Sequence, residues 1–467
     1  MVVWTACSDD DSFSSSASLR LTFSTDSVNV DTVFSRVPSS TRTFWVYNRS
    51  GKGIRCQSVR LAKGNQTGFR VNVDGIYLGP STGYQTSDIE IRNNDSIRVF
   101  VEVTTPMVHH DEPVRIADDL VFTLASGNEQ RVALTAWSWD ALLLNDLRVS
   151  SDTTITTTQP IVVNGAITVD SAATLTILGT TVYFHENAGI HVRGRLVTDA
   201  SAGRETVLRG DRLDHMFDYL PYDRVSGQWQ GIHIYPSSFG NELRNTHIHS
   251  TYNGIVCDST ACDSTRSRLW MENCTIHNCQ GYGLLARHAN ITLHNCEISN
   301  TLNDCLAVYG GIASLVHTTL AQFYPFDAMR GHALYLANCH DGATFDLHAT
   351  IVNSLVTGYA DDVLGGDKDS TGVFNYRFEN CLLRTPRVTD ADSVCYVNVV
   401  FEEAKDTTTA GKKHFACIDE DNLIYDFRLL PTSRAVDAGT TATTLPTDRY
   451  GLRRDEKPDM GAYEVQH

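Results

Sequence analysis

The sequence predicts an all-β protein in which a β-sandwich precedes a parallel β-helix. The first observation is a β-rich phrase that recurs as Asn245-Thr-His-Ile, Asn273-Cys-Thr-Ile, Asn295-Cys-Glu-Ile, His317-Thr-Thr-Leu, His348-Ala-Thr-Ile and Asn380-Cys-Leu-Leu. The second is its spacing of 28, 22, 22, 31 and 32 residues. A repeat with a floor of 22 residues and occasional longer steps indicates stacked coils with loop insertions. The third is a change of rhythm, because residues 19–140 carry longer alternating strands instead.

Composition narrows the classes of protein and partner. The 467 residues are 42% hydrophobic, which supports a folded core and at least two domains. The net charge of −17 argues against binding nucleic acid, whose phosphates require Lys and Arg, and against binding an anionic lipid surface. The sequence contains no run of 18 apolar residues, so no membrane-spanning helix is predicted. We expect a monomer.

Residues 1–17 are predicted to be the remnant of a signal and a tether. Thr5-Ala-Cys7, followed by the acidic run 9–11, resembles the end of a bacterial lipoprotein signal, although Trp4 stands where that family usually has Leu. The resemblance implies lipidation of Cys7, an outer-membrane location facing the cell exterior, and membrane contact only through this anchor. The basic and apolar parts of a complete signal are missing from the start.

Residues 18–145 are predicted to form the sandwich. About seven strands with polar turns between them suggest two antiparallel sheets that are immunoglobulin-like only in architecture, because there is no Cys-Trp-Cys framework. Acidic turns here make Ca²⁺ the only cofactor that we consider, and no other cofactor is predicted.

Residues 146–405 are predicted to form the β-helix. Short strands recur every six to eight residues from Ile155, so three strands make one coil of about 22. Residues at one coil position stack about 4.8 Å apart. Cys274, Cys296 and Cys381 are therefore predicted to line the interior as reduced thiols, and the asparagines of the phrase to bond from coil to coil. Cys257 and Cys262 are the candidate disulfide.

Two further blocks carry a resemblance to a known superfamily. Arg209-Gly-Asp-Arg-Leu213 with Trp229-Gln-Gly-Ile-His-Ile234 resembles the entry coils of pectate-lyase-like proteins. Pro458-Asp-Met-Gly-Ala-Tyr-Glu464 resembles the C-terminal segment of bacterial surface β-helix proteins. The resemblance implies a right-handed single-stranded parallel β-helix, and residues 406–467 are predicted to cap its open end.

Candidate site residues lie where the repeat is interrupted. The longer coils after His317 and His348 predict loops bordering a groove. The predicted catalytic residues are Asp304, Asp361, Asp362, Arg330 and His332. The predicted substrate-binding residues are Phe323, Tyr324, Phe326, Asp327 and Asp367. Aromatic rings beside carboxylates suit sugars, and no metal ligands are predicted.

Function stays open between three hypotheses. The first is a surface lipoprotein whose β-helix recognises glycans or acts as a scaffold. The second is a glycoside hydrolase or polysaccharide lyase. A hydrolase needs two carboxylates about 5 to 9.5 Å apart, and a lyase needs a base, with Arg330 or His332 as candidates. The third is an adhesin for a surface protein. Acidic pairs at strand ends are also ordinary turn residues, which weighs against the enzyme.

Overall fold

A computed structural model describes residues 12–201, 203–217, 219–403 and 405–466, so Cys7 lies outside the described residues. The chain divides into two compact units. One comprises the residues up to Ala141 with Leu213–Met216, and the other comprises Leu142–Arg212 and the residues from Phe217 onwards. Both units are built from strands, as the sequence predicts.

The N-terminal unit contains two five-stranded sheets instead of the predicted seven strands. In spatial order, the first sheet consists of Thr22–Phe23, Arg42–Tyr47, Ser96–Val103, Phe69–Val73 and Ile76–Leu78. The second consists of Ser27–Phe34, Glu129–Trp139, Val114–Leu124, Ile54–Leu61 and Gln85–Ile91. The pairs are antiparallel except that Glu129–Trp139 runs parallel to Ser27–Phe34. Alternating side chains such as Val71, Val99 and Leu134 form its core.

The second unit is a right-handed parallel β-helix with three faces in one 26-stranded sheet. Leu142–Val149 pairs with Ile161–Val169 at its start. The first face follows with Gly189–Val192, Ile232–Ile234, Ile255–Cys257, the starts of Leu284–His294 and Leu306–Val316, then Leu334–Ala337 and Leu364–Asp367.

The other two faces stack in the same way. The second face contains Thr153–Ile155, Thr174–Leu178, Arg195–Asp199, Asn241–Arg244, Leu269–Glu272, the ends of Leu284–His294 and Leu306–Val316, then Leu347–Val352, Phe374–Glu379 and Tyr396–Val397. The third face contains Thr181–Phe184, Thr206–Gly210, Thr246–His249, Thr275–Cys279, Glu297–Thr301, Thr319–Gln322, Leu355–Gly358, Leu382–Leu383 and Val400–Phe401.

The interior of the β-helix is a continuous apolar core. Cys274, Cys296 and Cys381 are fully buried free thiols in it, as predicted from their shared coil position. The predicted disulfide is not formed, since Cys257 is buried and Cys262 partly exposed as separate thiols. Inward side chains at equivalent positions of neighbouring coils lie one strand spacing apart, so they pack directly against one another.

An asparagine column marks the turn between the second and third faces. Asn245, Asn273 and Asn295 have positive φ angles of 45°, 54° and 50°, which asparagine tolerates better than most residues. Asn273 Nδ2 donates to Asn245 Oδ1 at 3.2 Å, and Asn295 Nδ2 donates to Asn273 Oδ1 at 3.1 Å. This confirms the coil-to-coil hydrogen bonds predicted between the side-chain amides of Asn245, Asn273 and Asn295, and Asn380 shares their backbone conformation with φ 50°.

His348, which opens one copy of the repeated phrase, does not lie in that column. His348 lies within a second-face strand, where it pairs with Ile312 and Asn375 and its side chain is exposed. Asn353 takes the turn position in that coil, with φ 50° and a hydrogen bond between its side-chain Nδ2 and His317 Nε2 at 3.1 Å. The turn position is defined by backbone conformation, and similarity between short sequence segments does not predict that conformation.

The C-terminal segment, described to residue 466, lies along the third face. Ala462 N donates to Thr319 Oγ1, and the Tyr463 hydroxyl donates to Glu297. Arg454 joins the asparagine column by donating to Asn295 Oδ1 at 3.0 Å, and pairs with Glu464 at 2.8 Å while almost fully buried. The sequence motif around Glu464 thus closes a lateral apolar cluster that includes Phe323, Phe415 and Phe427.

The remaining elements are short. In the part of the chain that the structure describes, three two-stranded sheets pair His215–Phe217 with Leu220–Pro221, Cys339–His340 with Ala343–Thr344, and Phe415–Asp419 with Ile424–Leu429. The 3₁₀ turns are Pro80–Thr82, Tyr222–Arg224, Ala391–Cys395, Gly411–His414 and Thr441–Thr443. No helix in the described part of the chain has the length and apolar character needed to cross a membrane.

Candidate functional site

Three of the predicted catalytic residues come together at the turn that leads into the first face. In each case the backbone N–H of the following residue donates a hydrogen bond to the next coil. This holds for the residues after Asp304, His332 and Asp362. Cys305 N donates to His332 O at 2.9 Å, and Ala333 N donates to Val363 O at 2.9 Å. These three residues therefore form a column across successive coils, which we call the polar row.

Asp304 and His332 form the central pair of the polar row. Asp304 Oδ1 accepts from His332 N at 2.7 Å and lies 3.1 Å from His332 Nδ1. Asp304 is buried, whereas the His332 side chain keeps 42% of its surface exposed. The hydrogen bond that His332 donates to Asp304, together with the charges of Asp304 and Asp362, raises the pKa of His332 against the opposing effect of burial.

Gly365 makes room for this imidazole. A Cβ atom on Gly365 would lie 2.7 Å from three atoms of the His332 ring. Because the ring covers the next coil directly, any larger residue at this position would push it out of its pair with Asp304. Gly366 is equally restricted by the backbone, since its Cβ would lie 2.2 Å from Leu336 O.

Tyrosines extend the site along the outer surface of the first face. Tyr335 lies beside His332, with ring centroids 5.6 Å apart, and its hydroxyl donates to Asp367 Oδ2 at 2.5 Å. Tyr309 follows at 5.6 Å from Tyr335. The predicted Asp367 is therefore held by Tyr335, a side chain that sequence analysis missed.

A pocket of about 360 Å³ adjoins the polar row at the last coils. It is lined by Leu334, Leu336, Asp362, Leu364, Gly365, Gly366, Lys368, Phe374, Tyr376, Phe378, Thr385, Asp392 and Tyr396. Its walls are aromatic and aliphatic, and its charged groups are Asp362, Lys368 and Asp392. We call it the end pocket; it shares Asp362 and Gly365 with the surroundings of the polar row.

The other two predicted catalytic residues lie apart from the His332 pair. Asp361 is exposed and has an oxygen 3.6 Å from Arg384 Nη2, so its nearest charged partner is an arginine. Arg330 donates from Nε to Tyr324 O at 2.9 Å, and its guanidinium lies over the Tyr359 ring at 4.8 Å. Asp362 also accepts from Leu364 N at 3.1 Å, which is a turn bond.

The predicted aromatic binders divide by burial. Phe323 is 1% exposed within the lateral cluster, so it offers no free ring face. Tyr324 is also buried, and its hydroxyl lies 3.0 Å from Ser226 Oγ. Phe326 is 51% exposed, whereas Asp327 accepts from Met329 N at 2.8 Å in a local turn. The insertion therefore contributes to packing as well as to the surface.

Sequence analysis missed the aromatic groups of the site that come from strands. Tyr309 and Tyr335 occupy outward positions in neighbouring first-face strands, and Tyr376 and Tyr396 face the end pocket. The available signal was the period of two in Leu334-Tyr-Leu336 and Phe374-Asn-Tyr-Arg-Phe378. Within the residues that the structure describes, no group of three or more His, Cys, Asp or Glu side chains is placed to hold a metal ion.

These coils define a right-handed parallel β-helix, and a comparison with known protein families agrees with this fold. A family described as the right-handed beta helix region matches residues 219–383. No curated protein matches the sequence.

Among solved structures, a family 123 glycoside hydrolase from Clostridium perfringens is 5% identical at a TM-score of 0.19. That match covers 29% of this chain and 30% of the other, so the chain spans less than a third of that structure. The catalytic domain of a GH87 alpha-1,3-glucanase in complex with nigerose is 11% identical at a TM-score of 0.22, with coverages of 78% and 88%. Similarity at this level does not assign an activity to this chain.

Proposed function

We propose that this β-helix binds carbohydrate at the polar row and the end pocket. The observation that carries the proposal is the end pocket itself, where aromatic walls meet Asp362, Lys368 and Asp392 beside the Asp304–His332 pair. Pockets of about 300 to 1,000 Å³ with apolar walls and a few placed polar groups are typical small-molecule sites.

The chemistry of the lining suits a glycan. Tyr376 and Tyr396 offer ring faces on which the C–H face of a pyranose can pack. Asp362 and Asp392 are acceptors for sugar hydroxyls, and Lys368 is a donor. Hydrogen bonds to charged groups are roughly twice as strong as those between neutral groups, so few of them are needed for orientation.

A glycan array followed by calorimetric titration tests this proposal. We expect Tyr376→Ala and Asp362→Asn each to weaken the Kd for a glycan positive on the array by at least about tenfold, which corresponds to about 1.4 kcal/mol. Tyr77→Ala, at an exposed tyrosine of the N-terminal unit, is the matched control and should bind like the wild type. Equal binding by all three variants would contradict the proposed site.

Glycan cleavage is the second candidate, favoured by the two carboxylates that flank His332. Asp304 and Asp362 stand two coils apart, which at strand spacing gives about 9.5 Å between their backbones. Inverting hydrolases hold their carboxyl groups about 6.5 to 9.5 Å apart. Reducing-end release that Asp304→Asn abolishes would support hydrolysis, and an unsaturated uronate product would support a lyase. Glycan binding without any cleavage product would favour recognition over hydrolysis and lyase activity.

Surface attachment is the remaining part of the proposal. We infer lipidation at Cys7 from the Thr-Ala-Cys sequence and the acidic run that follows it. Incorporation of labelled palmitate that Cys7→Ser abolishes, together with protease accessibility on intact cells, would support it. An adhesin that binds a surface protein is the alternative, and retained cell binding by Tyr376→Ala would favour it.

A further inference from the structure

A second pocket of about 330 Å³ lies between the third face and the C-terminal segment. We call it the tail pocket; it is lined by Glu205, His247, Thr275, His277, Glu297, Tyr425, Asp426, Phe427, Arg428, Arg449, Tyr450 and Tyr463. None of these residues belongs to the polar row or the end pocket. The pocket therefore needs an explanation of its own.

The floor of the tail pocket is a column of outward side chains. His247, Thr275 and Glu297 occupy one register position in three successive coils. His277 lies two residues beyond Thr275, so it projects from the same side of its strand. Outward positions on a solenoid usually face water, but here the C-terminal segment encloses them.

Aromatic side chains form much of the remaining wall. Tyr425 and Phe427 come from one strand of the C-terminal hairpin, and their rings lie 5.7 and 6.2 Å from His277. Tyr450 and Tyr463 come from the last loop and lie 5.4 Å apart. Tyr450 is 61% exposed, so it stands at the rim of the pocket.

The charged groups of the pocket already satisfy one another. Arg449 pairs with Glu205 at 2.7 Å and donates to Thr275 Oγ1 at 3.2 Å. Arg428 Nε lies 2.9 Å from Asp426 Oδ1. An anion would have to displace a carboxylate from one of these arginines, and a cation would have to displace an arginine.

Glu297 is occupied as well. Its two oxygens accept from the Ser299 hydroxyl at 2.6 Å and from the Tyr463 hydroxyl. Burial raises the pKa of Glu297, which further reduces its value to a cation.

The two imidazoles keep hydrogen-bonding capacity. The His247 ring nitrogens form no hydrogen bond to any residue that the structure describes, and His277 uses only Nδ1, at 2.8 Å from Ser299 Oγ. Burial lowers the pKa of His277 to about 4, and the pKa of His247 is lowered by burial and then by the neighbouring His249 and His277. Both rings are therefore neutral at pH 7. His247 can donate and accept, whereas His277 donates from Nδ1 to Ser299, whose hydroxyl donates to Glu297, and keeps Nε2 as an acceptor.

We propose that the tail pocket binds a neutral, hydroxyl-rich small molecule, such as one sugar unit, against His247, His277 and the surrounding aromatic rings. Paired charges exclude a net ionic ligand, neutral imidazoles match hydroxyl groups, and the rings supply apolar surface. The inference does not rest on carbohydrate binding at the polar row, because the two sites share no lining residue.

The test is an NMR titration of the full chain with glucose, galactose, xylose and N-acetylglucosamine as neutral probes, observing the ¹⁵N imidazole signals of histidine. Glucuronate and Zn²⁺ are the charged probes. We expect at least one neutral sugar to shift the His247 and His277 signals. His247→Phe, which keeps the ring volume and removes both nitrogens, should weaken that binding at least about tenfold.

Two further variants make the result decisive. Tyr450→Ala removes only a rim ring and should also weaken binding while thermal unfolding stays unchanged, which separates binding from folding. Tyr376→Ala in the end pocket should leave these signals and their titration unchanged, so failure of the carbohydrate proposal there is distinguishable from failure here. Binding by His247→Phe equal to the wild type, a response only to glucuronate or Zn²⁺, or no response to any probe would each overturn the inference.

Discussion

Two columns of polar side chains run along the same β-helix and use their hydrogen bonds differently. In the asparagine column, side-chain amides form hydrogen bonds between neighbouring coils, as where Asn295 Nδ2 donates to Asn273 Oδ1 at 3.1 Å. In the polar row, Asp304 serves a single partner, His332, whose ring stays partly exposed. The asparagine column uses its hydrogen bonds between coils and so stabilises the β-helix. The polar row has exposed polar groups that remain able to bind a ligand.

The place where residues are inserted separates the two columns. Steps of 22 residues join Asn273 to Asn295 and Asn295 to His317, and the longer step from His317 to Asn353 carries its inserted residues away from the asparagine turn. The polar row gains His332 and Asp362 from longer coils, where an inserted segment ends at the turn. The same spacing of stacked strands aligns both columns, so the difference between them comes from the inserted residues.

The largest predicted effect concerns the support of the asparagine column by Arg454. We expect Arg454→Ala to lower the free energy of unfolding by about 3 to 5 kcal/mol, because it leaves Glu464 buried without its partner. Urea denaturation measures this change. Arg148→Ala, whose side chain is 74% exposed in its pair with Asp170, is the control and should change stability by less than about 1 kcal/mol. Equal effects would contradict the supporting role of Arg454.

The next effect concerns the thiols beside the asparagine column. Cys274, Cys296 and Cys381 should react with a thiol reagent at least about a hundredfold more slowly than the partly exposed Cys417, since reaction requires local opening. Burial raises the pKa of Cys381 to about 12, which also removes its thiolate. Peptide mapping by mass spectrometry in a Cys7→Ser background measures the rates. Rapid labelling of these three thiols would contradict their interior position.

A smaller effect comes from the column itself. Asn273→Ala should lower the free energy of unfolding by about 1 to 2 kcal/mol, because alanine is disfavoured at φ 54° and the amide bonds are lost. Asn273→Gly keeps the backbone conformation accessible and loses only the side-chain bonds, so it should be the milder change. Thermal unfolding of both variants separates the two contributions. A milder effect of alanine would show that backbone conformation is not what selects asparagine here.

The repeat made the columns predictable because equivalent residues are separated by one coil in sequence and by one strand spacing in space. Cys274 and Asn295 could therefore be placed from spacing alone. The phrase that begins at His348 matches the others in sequence, but the turn residue of its coil, Asn353, stands five positions later. Insertions remove the constant period on which the inference depends.

The candidate site was only partly predictable for a related reason. Asp304, His332 and Asp362 precede strands in successive coils, so their stacking follows from the coil order. Burial of Phe323 depends on the C-terminal segment, about a hundred residues later in the chain, and no local pattern reports it. The tail pocket depends on the same long-range contact, which is why His247 looked like one histidine among many.

The smallest predicted effect returns to the polar row. Asp304→Asn removes the carboxylate that raises the pKa of His332, so that pKa should fall in an NMR titration. Because the wild-type pKa is raised, the pair stabilises the fold fully below about pH 6.5, and this contribution disappears as pH rises through the folded-state pKa. With His332 partly exposed, the difference should stay below about 1 kcal/mol. His332→Gln is the control and should remove this pH dependence. A larger destabilisation of Asp304→Asn at pH 8.5 than at pH 5.5 would show that the charge of His332 is not what the pair stabilises.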